Sequence, residues 1–338
     1  HDAAVVAALD WLEQHGGVTR RGRNGVDQVD TRGLVAALFR QHTSRDVDPQ
    51  LHTHAVIWGK VQDPTGKWLS LDARFLKQQQ RSIGWVYAAA LRSELSASLG
   101  VSWGPVSEGH ADIEEVHAGT LTLFSQRNAE VDARLAEAVA AWVDDHDGAE
   151  PDSRILYRLE RNAVLDSRPG KSEPVPADEL RREWVARARE AGFEALALPR
   201  CPLRPTQGAC WDDEAVIAQA LDTVASSSST WLRADLAHEI AARLPAEAAK
   251  SAADLVRIVD KLAERACQRC VELHPEERKG AARRRDGRPV TEHVVERRLS
   301  TPAMLEQEAR LLRWPGPMSG PADHQHSATT RTPSPPET

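Results

Sequence analysis

The chain has 338 residues, with 43 Lys+Arg against 50 Asp+Glu and a formal charge of −7. The overall basic character that marks many nucleic-acid-binding chains is therefore absent, and DNA recognition could come only from local patches. No apolar run reaches the roughly 20 residues of a membrane span and no signal peptide is visible. The expectation is a cytoplasmic protein of up to two domains with its four cysteines reduced.

Taken in chain order, residues 2–15 predict a helix, because Val5, Val6, Leu9 and Leu12 recur at helical spacing before Gly16-Gly17 stops the run. A start already inside a helix gives the expectation that the natural N-terminus lies further upstream. The Gly- and Arg-rich "GGVTRRGRNG" reads as a loop or hairpin tip. "GLVAALFRQHTS" fits a buried strand, with a helix as its alternative, and "DVDPQ" is a turn set by Asp48-Pro49. "LHTHAVIWGKVQ" follows as the second strand, and "DPTGKW" turns the chain into "WLSLD" as a third, giving an antiparallel meander.

"FLKQQQRSIGWVYAAALRSELSASLG" predicts a long helix closed by Gly100. Two strand-like pieces at 101–106 and 112–116 precede a helix over 121–142. A polar stretch near Asp144, a helix through Tyr157 and Leu165, a loop and a helix to Ala191 come next. Beyond them the chain is helical to about Leu273, and its Pro/Ser/Thr-rich end reads as disordered.

The histidines carry the chemistry. Alternate residues of a strand share a face at a rise of about 3.3 Å each, so His52 and His54 project together. The "SRDVDPQ" turn can bring His42 alongside, which makes His42, His52 and His54 a candidate three-imidazole site with open coordination positions. Asp46 and Asp48 are either outer partners of those rings or ordinary turn residues.

At "HTSRDVDPQLHTHAVIWGKV" the sequence resembles the metal motif of the MobF-type conjugative relaxases, the TrwC/TraI relaxase family within the HUH endonucleases. The likeness extends through "GLVAALF", "WLSLDARFL", "YAAALRSELSASLGV", "LFSQRNAEVDARL" and "SRPGKSEPVPADELRREW". The resemblance implies an α+β chain. A palm-like antiparallel-sheet relaxase domain lacking its N-terminal strands would occupy 1–195. A mostly helical region similar to the lead-in of a helicase-like module would occupy 196–314, and a disordered tail 315–338.

It implies a divalent ion of the Mg, Mn, Zn or Ni class that polarises a scissile phosphate. It also implies nicking and transfer of single-stranded DNA at an origin-of-transfer hairpin through a phosphotyrosine. Other conjugation-complex proteins are further implied partners. The family's nucleophilic tyrosine is expected upstream of His1, and Tyr87 and Tyr157 are expected to be packing residues. Many relatives place the first histidine where Gln41 stands, one position before His42. Either a bulge lets His42 reach the ion, or Gln41 offers its amide oxygen; imidazole favours His42.

Arg45, Lys60 and, on the Gly-rich loop, Arg20, Arg21 and Arg23 are candidates for contact with the DNA backbone, with Lys67 and Arg74 extending the lane. Trp58, Trp68 and Trp85 are candidates for base stacking or for core. Cys267 and Cys270 form a C-x-x-C within an expected helix, and Cys201 with Cys210 is a widely spaced pair. Reduced thiols are expected there rather than zinc. "RKGAARRRDGR" reads as a solvated basic connector or a nucleic-acid contact. No GxxxxGK[ST] loop is present, so no ATP site is assigned. The rival readings are a three-histidine metal hydrolase of another class and a non-catalytic DNA-binding remnant.

Overall fold

In the computed structural model, residues 1–167, 175–193, 211–273 and 282–313 are described. Cys201, Cys210 and the expected tail at 315–338 lie outside them. Helix α1 (Asp2–Gly16) ends where expected and runs into strand β1 (Val18–Arg21), which pairs antiparallel with β2 (Asp27–Asp30). The Gly- and Arg-rich segment is therefore a hairpin. A long two-stranded ribbon follows, β3 (Ala36–Thr43) against β4 (Pro49–Ile57). A short ribbon comes next, β5 (Lys60–Gln62) against β6 (Trp68–Ser70).

The expected meander is not formed. The chain leaves its strand at Trp58-Gly59, so β4 and β5 belong to different two-stranded sheets. The expected buried strand is instead exposed: Leu38 and Phe39 of β3 are 47% and 57% accessible. Apolar composition predicted the strand correctly but not a covering layer for it.

Helix α2 (Arg74–Gln78) breaks at Gln79 before α3 (Gln80–Leu99), which Gly100 closes at φ 68, a left-handed conformation that glycine adopts without a Cβ clash. The strand-like pieces at 101–106 and 112–116 are joined by the single bridge Trp103–Ile113, with a second, Ser107–His110, in the turn between them. The helix expected at 121–142 is two, α4 (Ala118–Leu123) and α5 (Gln126–Asp145). Helices α6 (Ser153–Asp166) and α7 (Ala177–Glu190) match expectation, and Asp152 caps α6 by accepting from the backbone N–H of Arg154 and Ile155 at 3.0 and 2.8 Å.

The later region contributes α8 (Asp213–Ser227), α9 (Arg233–Arg243) and α10 (Ala252–Cys267). After them come β7 (Val271–Leu273), β8 (Arg298–Ser300) and α11 (Pro302–Arg313). The helix expected through the C-x-x-C stops at Cys267, and Cys270 lies in the turn before β7. Both thiols are free, and burial pushes Cys267 up to about 12.

One core runs across the expected boundary at residue 195. Trp11 and Leu12 of α1 and Val86, Ala89 and Ala90 of α3 join Ile217, Leu236, Ile240, Leu255 and Val259 of α8–α10. The alanines and serines of α3 allow close helix approach. Ser93 donates to the Ala249 carbonyl at 3.0 Å, and buried Arg92 donates to Gly109 and Ala241 carbonyls at 2.8 and 3.1 Å. A Cβ at Gly16 would overlap the Phe75 ring, so the α1–α2 contact requires glycine there.

Candidate metal and nucleic-acid site

Alternation along the β3–β4 ribbon sorts its side chains. Opposed residues of an antiparallel pair share a face. Leu38 with Ala55, Arg40 with Thr53 and Ala36 with Ile57 thus form one face. This face meets α1 and α3: Arg40 pairs with Asp2, and Thr53 Oγ1 is bonded at 2.8 Å to His1 Nε2, whose Nδ1 is 2.9 Å from the Tyr87 hydroxyl. Ile57 packs on the core. The other face carries Phe39 opposite His54, Gln41 opposite His52 and Ala37 opposite Val56.

On that open face the His52 and His54 ring centroids are 5.0 Å apart with planes at 80°. Nδ1–H of His52 donates to the Gln50 carbonyl at 3.0 Å, which puts the lone pair of the neutral ring on Nε2. Nε2 of His54 lies 3.3 Å from Gln41 Oε1. His42 falls where the register shifts, between Gln41 and Thr43. Among the described residues no three His, Cys, Asp or Glu side chains gather as a metal-holding group, so His42 is not brought together with His52 and His54. Two imidazoles and an amide oxygen are what the fold presents to an ion, and these donors suit a borderline or moderately hard divalent cation.

The turn between the strands is fixed from outside the ribbon. Ser44 Oγ accepts from the N–H of Asp46 and Asp48 at 3.2 and 3.1 Å. Val47 sits at φ 63, costly for a β-branched residue, and its carbonyl accepts from Trp184 Nε1 at 2.8 Å. Buried Asp48 accepts from Arg187 of α7 at 2.9 Å and from the first backbone N–H of α5, at Gln126, at 3.0 Å. Asp48 is therefore an anchor to α5 and α7. That long-range role left no local trace in the sequence.

The basic candidates divide. Arg20 donates to Asp72 at 2.8 Å, and Arg21 pairs with Asp63 at 3.4 Å. Burial would raise the Asp72 carboxyl, but hydrogen bonds from Arg74, Arg20 and Gln28 outweigh it and hold it well below the usual range. Arg20, Arg21 and Arg74 are thus committed to carboxylates. Arg23 is exposed at the hairpin tip, Arg45 is half-buried in the β3–β4 turn, and Lys60 Nζ donates across its ribbon to Ser70 at 3.0 Å.

The described part of the basic segment, 282–288, is mostly exposed, as a solvated connector would be, but it is anchored at one point. Arg284 is buried against β2 and donates to the Glu292 carbonyl, while the Arg285 N–H donates to Asp30 at 2.6 Å. Trp85 is core, but Trp58 and Trp68 are 52% and 50% exposed and pack on each other with centroids 5.2 Å apart. Tyr157, expected to be packed, is 64% exposed on α6. No helix among the described residues is long and apolar enough to cross a membrane.

The TrwC relaxase sequence model matches residues 1–191. The multifunctional conjugation protein TraI of Escherichia coli K12 is 29% identical over 206 residues, covering 58% of this chain and 10% of TraI. The chain thus spans about a tenth of that relative. Solved structures of the conjugative relaxase TrwC with oriT DNA are similar at 32% identity. The metal-free one has TM-score 0.47 over 58% of this chain and 65% of that one. The metal-bound one has TM-score 0.47 over 57% and 63%. With more than half of its length matched by the family's own sequence pattern, the chain belongs to the TrwC relaxase family.

Proposed function

We propose that this chain is the metal- and DNA-holding part of a conjugative relaxase, which nicks and transfers one DNA strand at an origin-of-transfer hairpin through a phosphotyrosine. The observation that carries the reading is the paired His52 and His54 on the open face of the β3–β4 ribbon. When bound there, a divalent ion supplies Lewis-acid polarisation of a phosphate oxygen. His52, His54 and their ribbon neighbours hold that position, and the clamped turn keeps the ribbon from slipping. Arg45, Arg23 and Lys60 are the proposed phosphate contacts, and Arg20 and Arg21 would join them only by leaving their carboxylates. Trp58 and Trp68 offer a stacking platform for unpaired bases.

Tyr87 is turned to the α1 side of the ribbon, bonded to His1, and Tyr157 stands on α6. Neither is proposed as the nucleophile. The test is fluorescence anisotropy with hairpin oligonucleotides from the origin of transfer of the encoding replicon, each ending in a single-stranded extension. Salt-sensitive binding that prefers the hairpin to an unstructured strand is expected, with no covalent adduct formed by this chain. Equal affinity for both DNAs, or turnover of a soluble phosphoester, would overturn the reading. Hairpin affinity unchanged by metal, and by His52→Ala with His54→Ala, would leave only a DNA-binding remnant.

A further inference from the structure

We propose that Gln41, and not His42, supplies the third protein donor of this site, making it a two-imidazole, one-amide centre; the inference rests on the metal-holding role of His52 and His54. The strand ladder is regular through the pairs Phe39–His54, Arg40–Thr53 and Gln41–His52, and only then shifts. Gln41 is therefore inside the ordered register, directly opposite one histidine and on the face of both. The irregularity falls on His42 itself. A bulge can rescue a misplaced ligand, but this one does not bring three imidazoles together among the described residues.

The Gln41–His54 distance fits a shared ion. Two donors bound at about 2.1 Å and separated by a tetrahedral angle lie about 3.4 Å from each other. Oε1 of Gln41 and Nε2 of His54 are 3.3 Å apart. In the metal-free arrangement a ring proton bridges that gap. With the proton on Nδ1 instead, two lone pairs face one another across it. His52 is already set in the tautomer that presents Nε2, through its bond to Gln50.

The replacement has a chemical consequence. An amide oxygen is neutral, harder and a weaker donor than imidazole, so exchanging one imidazole for it lowers affinity for Zn²⁺ and Ni²⁺ more than for Mn²⁺. The site should discriminate less steeply along the divalent series than three imidazoles do. It should also lean toward ions that keep water and phosphate oxygens as their remaining ligands.

Titration calorimetry of the full chain with Mn²⁺ and with Zn²⁺, and visible absorption of the Co²⁺-loaded protein, test this. Gln41→Ala is expected to weaken Mn²⁺ binding by at least about tenfold, and His42→Ala to leave it within about twofold. Gln41→His is expected to tighten Zn²⁺ by more than it tightens Mn²⁺, and to shift the Co²⁺ spectrum as a nitrogen donor replaces oxygen. Loss of Mn²⁺ binding in His42→Ala, with Gln41→Ala unaffected, would overturn the assignment while leaving the metal role intact. Unchanged metal stoichiometry in His52→Ala with His54→Ala would sink that underlying role as well. All four positions are on the open face or at its bulge, so thermal melts matching the parent chain are expected throughout.

Discussion

The helical core and the histidine ribbon treat apolar residues in opposite ways. In the core, Trp11, Ile217, Leu236, Ile240 and Val259 are fully buried by one another. In the ribbon, Phe39, Val56, Leu38 and Leu51 are 47–57% exposed although the strands are as apolar as the helices. A two-stranded ribbon is marginal alone. This one is held by its attachments: Asp48 to Arg187 and α5, Val47 to Trp184, Thr53 to His1 and Arg40 to Asp2. Apolar burial is concentrated in one region, and the His52–His54 pair stands on another that is largely exposed.

The strongest attempt to break this division removes a core aromatic. Trp11→Ala should cost about 3–5 kcal/mol, from lost burial plus the cavity left behind. His52→Ala with His54→Ala should move stability by no more than about 0.5 kcal/mol, since both rings lie on an open face. Urea melts of the two variants give the contrast directly. Comparable losses would mean that the ribbon is part of the folding unit.

A smaller effect is expected where the two halves of the chain are tied by polar contacts. Asp260 Oδ1 on α10 accepts from Trp11 Nε1 at 3.2 Å, His15 Nε2 at 2.9 Å and Arg233 Nη2 at 3.0 Å. Burial would raise this carboxyl, but the hydrogen bond from His15 and the Arg233 charge hold it below its ordinary value. Asp260→Ala leaves those donors unpaired and should cost about 2–3 kcal/mol in the same melts. A neutral result would show that α1 and α10 are joined by apolar contact alone.

On the ribbon side, Trp58→Ala or Trp68→Ala should reduce hairpin affinity by about 1–2 kcal/mol if the pair stacks on an unpaired base. The melting temperature should barely change. Loss of stability with affinity preserved would mark the two rings as a structural plug between the ribbons.

Local pattern reaches some of this molecule and stops at its long-range contacts. Helical spacing and a closing glycine were enough for α1 and α3, and period-two alternation was enough to put His52 and His54 on one face. The end of β4 at Trp58-Gly59 was not legible, because a single glycine between two strand-like pieces can lie within a strand or end it. The pieces at 101–106 and 112–116 have strand composition but lack a neighbouring ladder to extend. Asp48 with Arg187, and Asp260 with His15, join residues far apart in sequence, where no periodicity signals a partner. The choice between Gln41 and His42 was open for a related reason: a one-residue shift depends on where the bulge falls, and only the paired register decides that.

The mildest probe is pH, acting on the clamp between α1 and α10. Burial lowers His15 below its ordinary 6.5, against the opposing hydrogen bond to Asp260. The folded chain then binds that proton less readily than the unfolded one. Stability therefore falls as pH drops below 6.5 toward the folded value, and above 6.5 the group is indifferent. Asp260 has the same sign lower down: its contribution is complete above 3.8 and is lost as pH falls through the depressed folded value. His293 is also lowered, by burial and the neighbouring Arg74, and adds to the upper window. The melting temperature should thus decline as pH falls below about 6.5, and His15→Gln with His293→Gln should flatten that decline while keeping the lower one. An undiminished slope in the double variant would place the titrating group elsewhere.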